Sequence, residues 1–80
     1  MNRDPEKDNK VCGMGPAIRL FKLENETAME IQCRKMCSED PDCIAMSGIW
    51  GKWCVGCKVK LKSPAYGTKA FIKGMYLQVT

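Results

Sequence analysis

The sequence predicts a small, disulfide-rich α+β domain, and three observations lead to that fold class. Six cysteines occur in only 80 residues, and an even cysteine count in a short chain is typical of a disulfide framework. One segment has apolar residues at helical spacing, and the segments that follow alternate with the period of a β-strand. The cysteines are Cys12, Cys33, Cys37, Cys43, Cys54 and Cys57.

Length and composition indicate one stapled domain rather than an enzyme. Eighty residues form a single domain, and a core this small needs covalent support. The chain contains no histidine, the side chain that most often transfers protons near neutral pH, and no nucleophile lies in a recognisable motif. We therefore expect no catalysis, with residues 1–10 as a flexible, charged lead-in and residues 11–80 as the domain.

The first elements of the domain are a strand and a helix. Residues 17–23 are typical of a first strand. Met29, Cys33, Met36 and Cys37 lie on one helical face, and Thr27 with the glutamate three residues later fits a capping box. The helix should run over about residues 28–38, because the chain then reaches a proline at position 41.

A β-hairpin should follow the helix. Residues 43–50 and 53–62 form two extended runs separated by Gly51-Lys52, which suits a two-residue type II′ turn. In that register Trp50 faces Trp53, and Met46 faces Cys57. One face is then apolar and the other small or cationic. Residues 70–73 and 75–79 are predicted as closing strands.

This hairpin register bears on the disulfide pairing. Cys57 lies on the apolar face where the helix must dock, so we expect Cys33–Cys57. A short loop joins Cys37 to Cys43, and these two are expected to pair. Cys12–Cys54 would be the third bridge. The alternative is Cys33–Cys54 with Cys12–Cys57, because a bulge at Gly56 would rotate the strand by one residue.

The cysteine pattern resembles the PAN/apple family. The resemblance rests on the helix with Cys33-x3-Cys37, the Asp40-Pro41-Asp42-Cys43 loop, Met46 at a bulky position, and Cys57-Lys58-Val59-Lys60. It covers residues 27–60, with looser similarity to residue 74. The chain departs from the apple pattern because no cysteine follows Cys57, so the usual bridge between the two ends of an apple module is missing.

The resemblance implies an antiparallel sheet crossed by one α-helix, and a non-catalytic role in binding protein or carbohydrate. Such modules occur in secreted proteins, including tandem arrays in the microneme adhesins of apicomplexan parasites. The chain is therefore expected to be an adhesive module of a larger secreted protein, outside the cell or in a secretory organelle such as a microneme. Tandem sibling modules and a protein or cell-surface glycan partner are expected.

Charge is distributed unevenly along the chain. Residues 1–42 carry nine acidic and seven basic side chains, whereas residues 43–80 carry six lysines and no acidic residue. A segment of one sign favours an anionic partner such as an acidic protein or a sulfated glycosaminoglycan. The alternative function is therefore a heparin-binding module of a secreted protease or of a growth-factor-type protein. An ordinary solvated face is the simpler interpretation. The candidate ligand-binding lysines are Lys52, Lys58, Lys60, Lys62, Lys69 and Lys73.

Three further features are weighed against structural explanations. Trp50 and Trp53 are candidate ligand contacts, although tryptophans across a hairpin are usually structural. Asn25 begins an Asn-Glu-Thr sequon for N-glycosylation.

No stretch is apolar enough to enter a membrane, and nucleic acid does not suit a secreted module. We expect no cofactor.

A different class of protein would use the cysteines for zinc. Cys33-x3-Cys37 and Cys54-x2-Cys57 could supply four thiolates to an intracellular zinc-stabilised domain. That alternative leaves Cys12 and Cys43 without a role. Free thiols in the native protein would favour it.

Overall fold

The computed structural model describes residues 1–13, 15 and 17–73, and it has the predicted α+β, disulfide-rich architecture. A five-stranded antiparallel sheet carries one helix on one face and a short two-stranded ribbon on the other. The strands are β1 (Asn2–Arg3), β2 (Lys10–Val11), β3 (Arg19–Leu23), β4 (Ala45–Ile49), β5 (Trp53–Cys57), β6 (Ser63–Pro64) and β7 (Lys69–Ile72). The helix α1 spans Glu30–Glu39, and a 3-10 turn spans Pro5–Lys7.

The sheet has the strand order β1-β7-β4-β5-β3, and β2 pairs with β6 in the ribbon. Strand β4 lies at the centre and its side chains divide the core in two. Met46 faces the helix with Cys54 and Phe71, whereas Ala45 faces the ribbon with Val55 and Cys57. Period-two alternation along one central strand therefore supplies both halves of the core.

Helix α1 begins two residues later than predicted, and the capping box does not form. Met29 is the residue that precedes the helix, and it makes no side-chain cap. The Thr27 backbone N–H and hydroxyl both donate to the Asn25 side-chain oxygen, so Thr27 serves the preceding turn. Glu30 instead pairs with Arg34 one helical turn later. The helix contributes the buried Cys33 and Cys37 to the core.

The hairpin register differs from the prediction by one residue. Strands β4 and β5 pair Ile49 with Trp53 and Ala45 with Cys57, so the loop has three residues instead of two. The Lys52 N–H donates to the Ile49 carbonyl at 2.9 Å, and Gly51 has φ +85°. Gly51 is thus the third residue of a four-residue turn, a position where a positive φ favours glycine.

The register shift explains why two of the three expected disulfides are wrong. A slip of one residue moves every side chain of a strand to the opposite face, so Cys57 faces the ribbon and Cys54 faces the helix. The bridges are Cys12–Cys57, Cys33–Cys54 and Cys37–Cys43, with Cα–Cα distances of 6.2, 6.5 and 5.3 Å. The expected Cys33–Cys57 and Cys12–Cys54 bridges do not form. The alternative pairing is the observed one.

The expected flexible lead-in over residues 1–10 is also wrong. Strand β1 pairs with β7 at the edge of the sheet, and β2 pairs with β6. Arg3 and Asp8 form an ion pair at 2.7 Å, and the Asp8 carboxylate also accepts from the Ala70 N–H at 2.9 Å. The sequence did not predict this ordered segment, because backbone pairing and a salt bridge hold it in place and neither produces an apolar pattern in the sequence.

The predicted closing strands have different outcomes. Residues 70–73 correspond to β7, which spans Lys69–Ile72, and the strand predicted over residues 75–79 lies outside the described residues. Among the described residues, no helix is long and apolar enough to cross a membrane.

Candidate functional site

The candidate binding surface centres on residues 58–62, which we call the lysine segment. It follows directly from Cys57, which is bonded to Cys12. The Lys58 N–H donates to the Ile18 carbonyl at 2.9 Å, and the Lys62 N–H donates to the Val11 carbonyl at 3.1 Å. Leu61 is 2% exposed and belongs to the ribbon-side core. The segment is therefore held at both ends and through one buried side chain.

The lysines of this segment do not lie on a strand, which corrects the prediction. Strand β5 ends at Cys57, because the backbone N–H groups beyond it donate to the loop before β3 and to β2. Lys58, Lys60 and Lys62 are nevertheless exposed. None of the three is in an ion pair within the part of the chain that the structure describes.

The other predicted lysines lie in different places. Lys52 is exposed in the hairpin loop, at the opposite end of β5 and roughly 20 Å along the chain from Lys58 at about 3.3 Å per residue. Lys69 is exposed on β7 beside Gly48. The Lys73 ammonium donates to the Asp40 carbonyl at 2.9 Å, so it ties the end of the sheet to the loop after the helix. Three of the six predicted lysines therefore lie on the lysine segment, and the other three lie elsewhere in the fold.

The two tryptophans lie on opposite faces of the sheet rather than opposite each other. Trp50 packs on the helix side, with its ring 6.1 Å from that of Phe71. Trp53 packs on the ribbon side, where it lines a surface cleft with Arg19, Lys22 and Glu24 among its neighbours. Trp53 therefore has polar side chains beside it that could contact a ligand.

The cleft beside Trp53 has polar groups of both charges. The Arg19 guanidinium donates to the Gly13 and Cys12 carbonyls at 3.1 and 3.3 Å, which fixes its position. Lys22 and Glu24 form an ion pair at 3.0 Å. The sequence prediction missed these neighbours, although the period-two pattern of residues 17–23 could have placed Arg19 beside the hairpin.

A second depression, which we call the lysine-rimmed groove, lies at the end of the central strands. Ile44, Ala45, Leu61 and Ile72 form its apolar floor, and Asp4, Lys7 and Lys60 lie on its rim. Its volume is about 260 Å³. Sequence reasoning missed it because Asp4 and Lys7 belong to the segment interpreted as a lead-in.

Asn25 is exposed in the turn before the helix. Its side-chain oxygen is occupied by Thr27, as described above, and its side-chain nitrogen is the atom that a glycan would modify. Glycosylation at this sequon stays a prediction.

Among the described residues, the shifted pKa values belong to Arg3 and Asp8, at the start of the chain. The hydrogen bond from Arg3, opposed by partial burial and reinforced by the Ala70 N–H, lowers the pKa of Asp8 from 3.8 to about 2. The same hydrogen bond raises the pKa of Arg3. This pair fastens β1 to β7 and is a structural contact.

All six cysteines are in disulfides, so the zinc-stabilised alternative has no thiolate available. Within residues 1–13, 15 and 17–73, no cluster of three or more metal-ligating side chains was found. Three disulfides in so small a domain are compatible with an extracellular location.

The comparisons with family models, curated proteins and solved structures found no match to this chain. The resemblance to PAN/apple modules therefore rests on the cysteine, Asp-Pro and lysine spacings of the sequence.

Proposed function

We propose that the chain is a non-catalytic, extracellular binding module of a larger secreted protein, and that it attaches to an anionic protein or cell-surface glycan. The observation that carries the proposal is the lysine segment, where three exposed lysines lie on a loop anchored by a disulfide and form no ion pair with any described residue. A fixed array of like charge attracts an oppositely charged partner and raises its association rate.

The charge distribution supports this proposal. No Asp or Glu follows position 42 in the sequence, whereas six acidic residues lie around the helix between Glu24 and Asp42. The helix has two ion pairs, Glu30–Arg34 and Lys35–Glu39. Both form within the helix and include no lysine of the lysine segment. Within the described residues, the lysine segment therefore presents three basic side chains that no carboxylate pairs with.

An adhesive role in a tandem array, like that of microneme modules, extends this proposal through the PAN/apple resemblance. A module that contributes adhesion needs a rigid, protease-resistant frame and an exposed contact surface, and three buried disulfides provide such a frame. A sulfated glycosaminoglycan and an acidic protein patch are the two partner classes that the lysines suit.

Replacement of Lys58, Lys60 and Lys62 by Gln tests the lysine segment. We expect about tenfold weaker retention on both a heparin matrix and an acidic protein matrix at low salt, because the attraction is electrostatic and is screened by ions. Salt elution of the wild-type and variant chains measures the effect.

The matched control removes three basic charges that already have partners, by the substitutions Lys22→Gln, Arg34→Gln and Lys35→Gln. This control should elute close to the wild type. Equal losses in the two variants would mean that only net charge matters, and would contradict a defined site.

A second candidate function is recognition of an uncharged or acidic sugar at Trp53. The cleft beside this ring combines an aromatic surface with the fixed Arg19 guanidinium and the Lys22–Glu24 pair, and sugar rings stack on aromatic side chains while their hydroxyls bond such groups.

The chain has only two tryptophans, so Trp50→Phe leaves Trp53 as the single tryptophan fluorophore and Trp53→Phe leaves Trp50. Titration with simple methyl glycosides should change the fluorescence of the first variant and not of the second. A change in both variants, or in neither, would contradict this site.

A further inference from the structure

The lysine-rimmed groove joins a partly exposed apolar floor to the positive charge of the lysine segment. Ala45 and Ile72 pair across β4 and β7, and Ile44 and Ile72 are only partly buried. Leu61 of the lysine segment completes the floor, and Lys7 of the 3-10 turn Pro5–Lys7 also lines the groove. A concave apolar floor with a few charged groups at its edge is the usual form of a candidate binding site.

The charges on the rim define the chemistry of an occupant. Lys7 and Lys60 lie on the rim, and among the described residues neither is in an ion pair. Lys58 and Lys62 flank Lys60 in the sequence. Among the described residues, Asp4 is the one acidic side chain that lines the groove, beside Lys7 and Lys60, so the rim has more positive than negative charge and suits an acidic occupant.

The apolar floor distinguishes between the two partner classes of the proposed function. A sulfated glycan is covered mainly by hydroxyl and sulfate groups and has no aliphatic side chain to insert over Ile44 and Ile72. A protein segment with an aliphatic side chain between acidic residues would cover the floor and pair with the lysines. The groove volume of about 260 Å³ suits one or two such side chains.

We propose that the lysine-rimmed groove binds an acidic protein segment, with an aliphatic side chain inserted over Ile44 and Ile72 and with flanking carboxylates at Lys60 and Lys7. This inference rests on the proposed binding of an anionic partner and specifies that partner as a protein.

Two labelled synthetic peptides of equal charge test the proposal, Glu-Glu-Leu-Leu-Glu-Glu and Glu-Glu-Ser-Ser-Glu-Glu. We expect the leucine peptide to bind at least about tenfold more tightly, because only it buries aliphatic side chains in the groove. Its amide-shift perturbations in an NMR titration should centre on residues 44, 45, 61 and 72. Equal affinity of the two peptides, or perturbations centred elsewhere, would overturn the proposal.

Substitutions in the apolar floor of the groove provide a second test, in which the binding of the two peptides is measured again. Ile72→Asn and, as an independent variant, Ile44→Asn should remove the preference for leucine while retention on heparin is unchanged. The matched control is Val59→Asn, which changes a partly exposed apolar residue of the lysine segment that does not line the groove. A leucine preference that survives both floor variants would show that the groove is not the site.

The outcomes separate this inference from the proposed function. Retention on heparin without any leucine preference would overturn the groove alone, and the general attraction to anions would stand. Absence of binding to both peptides and to heparin would overturn the groove and the anionic partner together.

Discussion

The Ser47 hydroxyl is completely buried, and no hydrogen-bond partner for it was found among the described residues. It lies at the centre of β4, with Val55 and Ala70 on either side in the neighbouring strands. A buried hydroxyl without a partner has lost its hydrogen bonds to water and gained none in return. This side chain therefore costs the fold free energy.

We predict that Ser47→Ala increases the free energy of unfolding by about 1 kcal/mol, because the substitution removes only the oxygen. Urea unfolding of the two chains measures the difference. The control is Thr68→Val, since the Thr68 hydroxyl is buried but lies 3.0 Å from the Ala65 carbonyl. This control should lose about 1 kcal/mol. A loss of stability in Ser47→Ala would show that the hydroxyl has a partner, such as a buried water.

Glycines at two positions allow close approaches that any side chain would block. A Cβ at Gly48 would lie 2.6 Å from the Trp53 carbonyl oxygen, and one at Gly56 would lie 2.0 Å from the Phe21 ring. Gly48 allows β4 to lie close to the backbone of Cys54. Gly56 allows the Phe21 ring to pack directly on β5. Neither requirement is visible in the sequence, because each depends on which residues face each other in space.

At the scale of elements, the existence of the helix and of the hairpin could be predicted from the sequence. The first residue of the helix and the strand register of the hairpin could not. The Cys33-x3-Cys37 spacing and the apolar alternation each depend on one element alone. The hairpin register depends on the loop conformation around Gly51, and the Gly51 N–H also donates to the Ala28 carbonyl at 2.9 Å. That bond comes from the segment before the helix, so local turn preferences gave the wrong register.

The disulfides report directly on that register. We predict that proteolysis of the unreduced protein releases peptides joined through Cys12–Cys57 and Cys33–Cys54, identified by mass spectrometry, with Cys37–Cys43 as the third bridge. Peptides joined through Cys33–Cys57 would restore the two-residue turn and contradict the observed faces of β5.

Loss of the helix-to-sheet bridge should also matter more than loss of the local one. In the chain-entropy model, Cys33–Cys54 closes a loop with a sequence separation of 21 and Cys37–Cys43 one of 6, so their removal costs roughly 3.3 and 2.2 kcal/mol. The alanine double variants of each pair, compared by urea unfolding, provide the measurement. A larger loss for the short bridge would contradict the model.

At the scale of the whole molecule, the sequence predicted the fold class and the basic segment, but not the surface around that segment. The lysines could be found from charge alone. The lysine-rimmed groove could not, because it combines Asp4 and Lys7 from the first ten residues with Ile44 and Ile72 from distant strands. Such a site exists only once β1 has paired with β7, and that pairing follows no apolar pattern.

The contact that fastens the first ten residues should make the fold sensitive to acid. The hydrogen bond from Arg3 holds the pKa of Asp8 at about 2, below the ordinary value of 3.8. A carboxylate with a lowered pKa in the folded state contributes stability above its unfolded pKa and loses that contribution as the pH falls. The loss should therefore occur between about pH 4 and pH 2.

We predict that Asp8→Asn lowers the free energy of unfolding at pH 7 and reduces its decline between pH 4 and pH 2. Urea unfolding across this pH range measures both effects. The control is Glu26→Gln, which removes an exposed carboxylate and should change neither value appreciably. If Asp8→Asn were as stable as the wild type at pH 7, the Arg3–Asp8 ion pair would contribute little to the fold, and this explanation of acid sensitivity would be wrong.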